Sequence, residues 1–435
     1  MNLNKERQQK EIKNKNQQFI SLVTLEKPLT SREIPTRRVI EIKLTAPTKV
    51  KKKKEHIPLN LALVIDRSGS MNGEKMIYVK QAAQQVVSML NAEDRVGLFI
   101  YDNVAEQVLP SLLMTEANRA QAMSAIDEIL ARGMTNLSDG WLLGCESVGE
   151  HQSTESIDRV LLLSDGLANQ GITSLVTLGQ HAAALHERGV ATSTFGVGTN
   201  FNENLLERMS NQGGGNFYLI ESPSHITEIF LQELTELVEV SAKDVTVSCA
   251  LPQGVSIDVL GGWRHEIEEQ TLNIFLGDLV ASQERSLFLI ASLPASETAE
   301  TVSFTLKVKG SNQQSEEIQV AQLFEFQYDS LLACEQAPFE KEMMERYSRV
   351  HLSEITREAI KLERVGKRHE AQQMMSHAIG ETSEYLSKAD LPVYERRRDR
   401  METGLSEAER KRMHYRSYRR SRSRIDEENE SGAED

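Results

Sequence analysis

An almost unbroken apolar run, Leu59-Asn60-Leu61-Ala62-Leu63-Val64-Ile65, leads straight into Asp66-Arg67-Ser68-Gly69-Ser70. The run is too short and too β-branched for a helix of its own, and it lacks polar alternation. It therefore predicts a strand buried on both faces, as in the middle of a parallel sheet. Gly69 and Gly73 break the chain, and an amphipathic helix is expected from about Glu74 to Leu90. In open α/β sheets, ligands bind beyond the carboxyl ends of the strands, where the strand order reverses. A carboxylate followed at alternate positions by two hydroxyls suits a hard divalent cation there, Mg2+ first among them.

Further buried-type strands are expected at 95–101, 159–164 and 190–197, with helical patterns at about 116–130, 137–148, 175–188 and 203–210. This alternation over residues 59–240 implies an α/β domain with a doubly wound, mostly parallel sheet. A last helix, near Pro223 to Val240, carries Ile226, Ile229, Phe230, Leu234, Leu237 and Val238 on one stripe, and so packs on the sheet.

Outside this domain the patterning changes. Residues 1–18 are polar and expected to be flexible. Strands follow at 19–25 and 38–44, the second placing Ile40, Ile42 and Leu44 on one face, and Lys51-Lys52-Lys53-Lys54 reads as a solvated connector. Beyond residue 241 the period becomes two, as in Val245, Val247 and Cys249 or Val302, Phe304, Leu306 and Val308, which suggests a β-sandwich over 241–328. The strands in 19–58 lack partners of their own. They are expected to complete that sandwich, with the α/β domain inserted into it. Residues 336–390 read as a helical hairpin broken at Gly366, similar to one tetratricopeptide-like hairpin but without the repeats of a solenoid. The Arg-rich stretch 391–435, with its acidic end, is expected to be a disordered charged tail. Polyanion or nucleic-acid binding through its arginines, Tyr415 and Tyr418 is the less favoured alternative.

A net charge of -14 argues against a chain whose whole surface binds nucleic acid. Cys145, Cys249 and Cys334 lie far apart without metal-type spacing, and are expected to be reduced. No leader-like segment opens the sequence and no run approaches the roughly 20 apolar residues of a membrane span, so a cytoplasmic protein is expected.

Two more loops supply groups that match the first. They are Arg132-Gly133-Met134-Thr135-Asn136-Leu137-Ser138-Asp139-Gly140, and Ser164-Asp165-Gly166 after Leu161-Leu162-Leu163. Each hydroxyl alone reads as a helix cap or turn group. Asp102 and Asp139, before Asn and Gly, read as turn residues. Asp66, Ser68, Ser70, Thr135 and Asp165 in this order resemble the metal-ion-dependent adhesion site of von Willebrand factor type A domains, over residues 59 to about 240. The resemblance implies that Ser68 and Ser70 bind Mg2+, or Mn2+ or Ca2+ in its place, through their hydroxyls. Asp66 would act through water and by orienting the serines, with Thr135 and Asp165 trading direct for water-mediated contact. It also implies a free coordination position, taken by an Asp or Glu of a protein partner, and a final helix matching the one that shifts in integrin-type domains. The whole layout is similar to bacterial relatives of inter-alpha-trypsin inhibitor heavy chains and calcium-activated chloride channel regulators.

The function expected is non-enzymatic: a metal-dependent protein-interaction module acting as an intracellular scaffold or regulator. An alternative is the accessory subunit of a MoxR- or chelatase-type ATPase. That ATPase would be a separate protein, since this chain has no Gly-Lys-Ser/Thr phosphate loop. A metal-dependent phosphohydrolase is less favoured. In haloacid-dehalogenase phosphatases a second Asp stands two positions after the nucleophile, where this chain has Ser68, and none of the three loops holds a His.

Overall fold

The computed structural model describes residues 18–48, 57–153, 156–165, 168–222, 225–312 and 316–422. Most of the expected flexible N-terminus, the Lys51–Lys54 run, Pro223 and the acidic end of the tail lie outside them, as does the Val238 side chain. The chain divides into two units, Lys51–Glu239, and Met1–Val50 together with Val240–Asp435.

Strands β1 (Ile20–Leu25), β2 (Leu29–Ser31) and β3 (Thr36–Thr45) come before the inserted unit. That unit runs β4 (Leu59–Asp66), a 3-10 turn (Gly69–Met71), α1 (Glu74–Met89), β5 (Arg95–Tyr101), β6 (Ala105–Leu113), α2 (Glu116–Asp127) and α3 (Leu137–Glu150). It continues through β7 (Ile157–Ser164), α4 (Leu175–His186), β8 (Ala191–Val197), α5 (Glu203–Gln212), β9 (Gly214–Ile220) and α6 (Ile226–Val238).

The sheet order is β6-β5-β4-β7-β8-β9, parallel throughout except for the antiparallel edge strand β6. All eight residues of β4 and of β7 are buried, as the lack of polar alternation in β4 requires. From β4 the chain moves to β5 on one side and returns to β7 on the other, so the strand order reverses next to β4. The crevice beyond Asp66 and Ser164 is therefore the topological switch point. Ile226, Ile229, Phe230, Leu234 and Leu237 of α6 join the core, and Phe230 stacks on Phe195 of β8 with ring centroids 4.5 Å apart.

Strands β6 and β9 were not expected from the sequence. Pro110 interrupts the first, and the second opens on glycines that carry little strand preference. Packing accounts for β9. A Cβ on Gly215 would stand 2.1 Å from the Thr192 carbonyl oxygen, so bare backbone is what admits the strand against β8.

The other unit adds β10 (Val240–Ala250), β11 (Ser256–Val259), β12 (Arg264–Glu268), β13 (Thr271–Val280), β14 (Glu284–Leu293), β15 (Thr301–Ser311) and β16 (Glu317–Asp329). Two sheets result, β1-β3-β14-β11 and β12-β13-β10-β15-β16-β2. The N-terminal strands thus find their partners across the insertion: β3 pairs with β14 from Thr36–Leu293 to Thr45–Glu284. Ile40, Ile42 and Leu44 enter the same core as Val247, Cys249, Leu289, Phe304 and Leu306, which makes the two sheets a sandwich.

Helices α7 (Leu331–Gln336), α8 (Lys341–Arg364), α9 (Arg368–Thr382), α10 (Asp390–Thr403) and α11 (Glu407–Ser421) complete the unit. Helix α8 covers the opposite face of β3, where Met343, Met344 and Val350 meet Val39, Phe288 and Ile290. Glu41, pointing to that face, is 1% exposed and takes both arms of the Arg346 guanidinium at 2.9 and 2.7 Å. Gly366, at φ +83°, ends α8 and turns the chain into α9, the break expected there.

The expectation of a disordered tail from residue 391 is corrected by α10 and α11. Ser406 and Glu409 form a capping box that starts α11. Tyr394 and Met401 are wholly buried against Leu352, Ile360 and Met375. Described arginines of this stretch are paired within the fold: Arg410 forks onto buried Glu363 at 2.7 and 3.0 Å, and Arg422 lies 3.8 Å from the Trp263 ring centroid. Tyr418 is 2% exposed, so it offers no face for stacking on a base.

Among the described residues no helix is long and apolar enough to cross a membrane. The three cysteines are free and buried, and burial pushes the Cys249 thiol up to about 12.

Candidate metal centre

Asp66 ends β4 at the bottom of the crevice with no exposed surface. Its Oδ1 accepts the Ser68 backbone N–H at 2.8 Å, which turns the chain at the strand end; its Oδ2 accepts the Ser164 hydroxyl at 2.8 Å. Asp66 is thus tied to the ends of both strands that flank the switch point. Ser68 and Ser70 place their hydroxyl oxygens 3.0 Å apart, and Ser70 donates to Asp165 Oδ1 at 2.8 Å. Asp66, Ser68, Ser70 and Asp165 therefore form one continuous chain of contacts.

Thr135 reaches the same crevice through its loop. The Gly69 N–H donates to the Gly133 carbonyl at 3.0 Å, and the Arg132 N–H donates to the Arg67 carbonyl at 2.6 Å, so the first two loops run side by side. Asn169 holds Thr135 by exchanging two bonds with its backbone, at 3.0 and 3.1 Å. Among the described residues no hydrogen bond joins the Thr135 hydroxyl to the other four groups. Asp165 is described while Gly166 lies outside the described residues.

The turn residues serve as buttresses. Asp102 accepts from the Val104 N–H at 3.0 Å and pairs with Arg132 at 2.8 Å. It also lies 2.9 Å from Arg67 Nε, an ion pair without hydrogen-bond alignment. Both arginines also reach Glu106, at 2.6 and 3.0 Å. Asp139 accepts from Asn136 at 2.7 Å in the first turn of α3. Among the described residues neither aspartate side chain is hydrogen-bonded to Asp66, Ser68, Ser70 or Asp165.

Two carboxylates without exposed surface share this crevice. Burial pushes Asp66 up to about 6; hydrogen bonds from Ser68 and Ser164 pull the other way, and the charge of Asp165 adds to the rise. Among the described residues no cluster of three or more His, Cys, Asp or Glu side chains could hold an ion. A cation here would rely on hydroxyls and two carboxylates, an all-oxygen set that fits a hard divalent ion and is poor in the nitrogen and sulfur preferred by zinc. Ser68, Ser70, Thr135 and Asp165 would hold it, with Asp66 behind the serines.

Sequence reasoning did not single out Lys75. Its ammonium bonds to Asp165 Oδ2 and lies 3.3 Å from the Ser70 carbonyl. A lysine in the first turn of a helix looks like any solvated residue in sequence, and only the fold brings it to Asp165. Ser164 and Asn169 were likewise unassigned, because a strand-end serine and a loop asparagine carry no signal of their own.

Residues 60–232 match the family model of the von Willebrand factor type A domain. The uncharacterized protein YfbK of Escherichia coli (strain K12) is 31% identical over 197 residues, covering 45% of this chain and 34% of its own. The uncharacterized protein sll0103 of Synechocystis sp. is 25% identical over 261 residues, 57% of this chain and 60% of its own. Inter-alpha-trypsin inhibitor heavy chain H3 of Homo sapiens is 29% identical over 165 residues, 37% of this chain and 18% of its own. The chain thus spans less than two thirds of the length of these curated relatives. Among solved structures, the von Willebrand factor type A protein from Catenulispora acidiphila matches with a TM-score of 0.66 at 15% identity, over 84% of this chain and 87% of its own. The ArnB paralog VWA2 from Sulfolobus acidocaldarius matches with a TM-score of 0.60 at 16% identity, over 94% of this chain and all of its own. At these identities the likeness is one of fold.

Proposed function

From the premise that residues 60–232 are a von Willebrand factor type A domain, a protein-interaction fold that commonly holds a divalent metal, we propose that this chain binds a protein partner through Mg2+. Ser68, Ser70, Thr135 and Asp165 contribute the metal's ligands, Asp66 orients the serines, and an Asp or Glu of the partner fills the remaining position. The observation that carries this reading is the run of contacts from Asp66 through Ser68 and Ser70 to Asp165 across the switch point. Two carboxylates neutralise the ion, so a third from outside is not repelled, and neutral hydroxyls leave the metal electrophilic. The role is that of a scaffold or regulator, with Mn2+ or Ca2+ able to replace Mg2+.

Affinity capture with the full chain tests this. Wild type in Mg2+ should retain partners that chelator releases, and that Asp165→Ala and Ser70→Ala fail to retain. An identical set of captured proteins in all conditions would overturn the proposal.

A further inference from the structure

Lys75 holds the position in this unit that a divalent ion would contest. Asp165 has no exposed surface, and its two oxygens are divided between the Ser70 hydroxyl and the Lys75 ammonium. The ammonium also faces the Ser70 carbonyl, 3.3 Å away. Its aliphatic stem is seated on bare backbone: a Cβ on Gly198, at φ +73°, would lie 3.1 Å from Lys75 Cε. That glycine follows β8, so strand ends from three parts of the sheet converge on one lysine. The side chain is 22% exposed, which leaves it a route to solvent if Asp165 is taken by another cation.

We infer that Lys75 is a tethered counter-cation that neutralises Asp165 in the metal-free protein and must be displaced when a divalent ion binds; this rests on the metal-site reading above. A buried carboxylate stripped of its partner is strongly unfavourable, so some positive charge has to stay beside Asp165. An ammonium and a divalent ion cannot share the same carboxylate oxygen at close range, because like charges repel steeply where water is excluded. Lys75 thus stabilises the empty fold and weakens metal affinity by the same free energy. The site is set to load only when the divalent ion is abundant enough to win the exchange.

Calorimetric titration of the full chain with Mg2+ and with Mn2+ tests this in wild type, Lys75→Met, Lys75→Arg and Asp165→Asn. Lys75→Met should bind at least about tenfold more tightly than wild type, and Lys75→Arg should stay close to wild type. In chelator Lys75→Met should melt below wild type, with the gap closing in saturating Mg2+. Lys75→Gln, which keeps a donor for Asp165 without the charge, replaces the Met variant if that one does not fold unliganded. Unchanged or weaker affinity in the uncharged variants, alongside measurable binding by wild type, overturns the role of Lys75 and leaves the metal site standing. Absence of binding in wild type and all variants overturns the metal site and this inference with it.

Discussion

Asp66 shows at residue scale how a buried carboxylate works against the stability of the fold that carries it. Its carboxylate is pushed up to about 6 by burial, with Asp165 nearby adding to the cost of ionisation. Asp66→Asn keeps an oxygen for the Ser68 N–H while removing that charge. In chelator at pH 7 this variant should be more stable than wild type by about 1–3 kcal/mol, measured by denaturant unfolding, since each pKa unit corresponds to about 1.4 kcal/mol. In saturating Mg2+ the order should reverse, because only wild type gains from the ion. Of the groups around the crevice, Asp66, Ser68, Ser70 and Asp165 could be picked out because they stand at the ends of expected strands, and Thr135, in the loop before α3, through the resemblance to the adhesion-site motif. Lys75, Ser164 and Asn169 could not, since their roles depend on contacts between segments that the sequence holds far apart.

At the scale of elements, two buried glutamates hold helices in place. Glu233 of α6 has no exposed surface; it accepts from Ser193 at 2.5 Å, from Asn216 at 2.8 Å and from Tyr218 at 2.7 Å, and lies 3.6 Å from Arg159. It joins the helix to β7, β8 and β9 at once. Glu233→Ala should destabilise the inserted unit by about 3–5 kcal/mol in chemical unfolding, through the lost hydrogen bonds from Ser193, Asn216 and Tyr218 and the lost charge beside Arg159. Glu363 of α8 does the same for α11. Burial alone would raise its carboxyl, but the Arg410 bonds, the Leu405 N–H and the Arg410 charge outweigh it and hold the carboxyl below its ordinary value. The stabilisation is therefore complete above the unfolded value of 4.5 and is lost as pH falls below that, through the folded value. Hydrogen exchange in α11 should accelerate over that acidic interval in wild type, while Glu363→Gln should be faster already at neutral pH and flatter with pH. The sequence displayed the apolar period of α6 plainly. It hid α11, whose mean composition is that of a solvated segment and whose order comes from partners on α8 and on the Trp263 loop.

For the whole molecule, the interrupted sandwich and the inserted α/β unit have separate hydrophobic cores. A ligand that binds only the native form of one unit stabilises that unit by mass action. At a Mg2+ concentration about a hundredfold above its dissociation constant, the gain should be about 2.7 kcal/mol. Scanning calorimetry should show this as an upward shift of the transition of the inserted unit alone. Equal shifts in every transition would mean that the ion acts elsewhere.

Some of this was settled by local chemistry. Leu59 to Ile65 must be buried on both faces because the run has no polar side to show to water, and the Asp-x-Ser-x-Ser loop must follow it at the strand end. The alternation of Ile40, Ile42 and Leu44 likewise assigns those residues to a sheet core. Other features were decided only by tertiary contact. Strand β9 exists because glycines let its backbone close on β8, α10 and α11 because their arginines find carboxylates and aromatic rings, and the position of Lys75 because α1 begins and β7 ends at one crevice. Periodicity and turn preference act within a few residues and can be read along the chain. Charge neutralisation and close backbone approach act between residues tens or hundreds of positions apart, and only the folded chain brings them together.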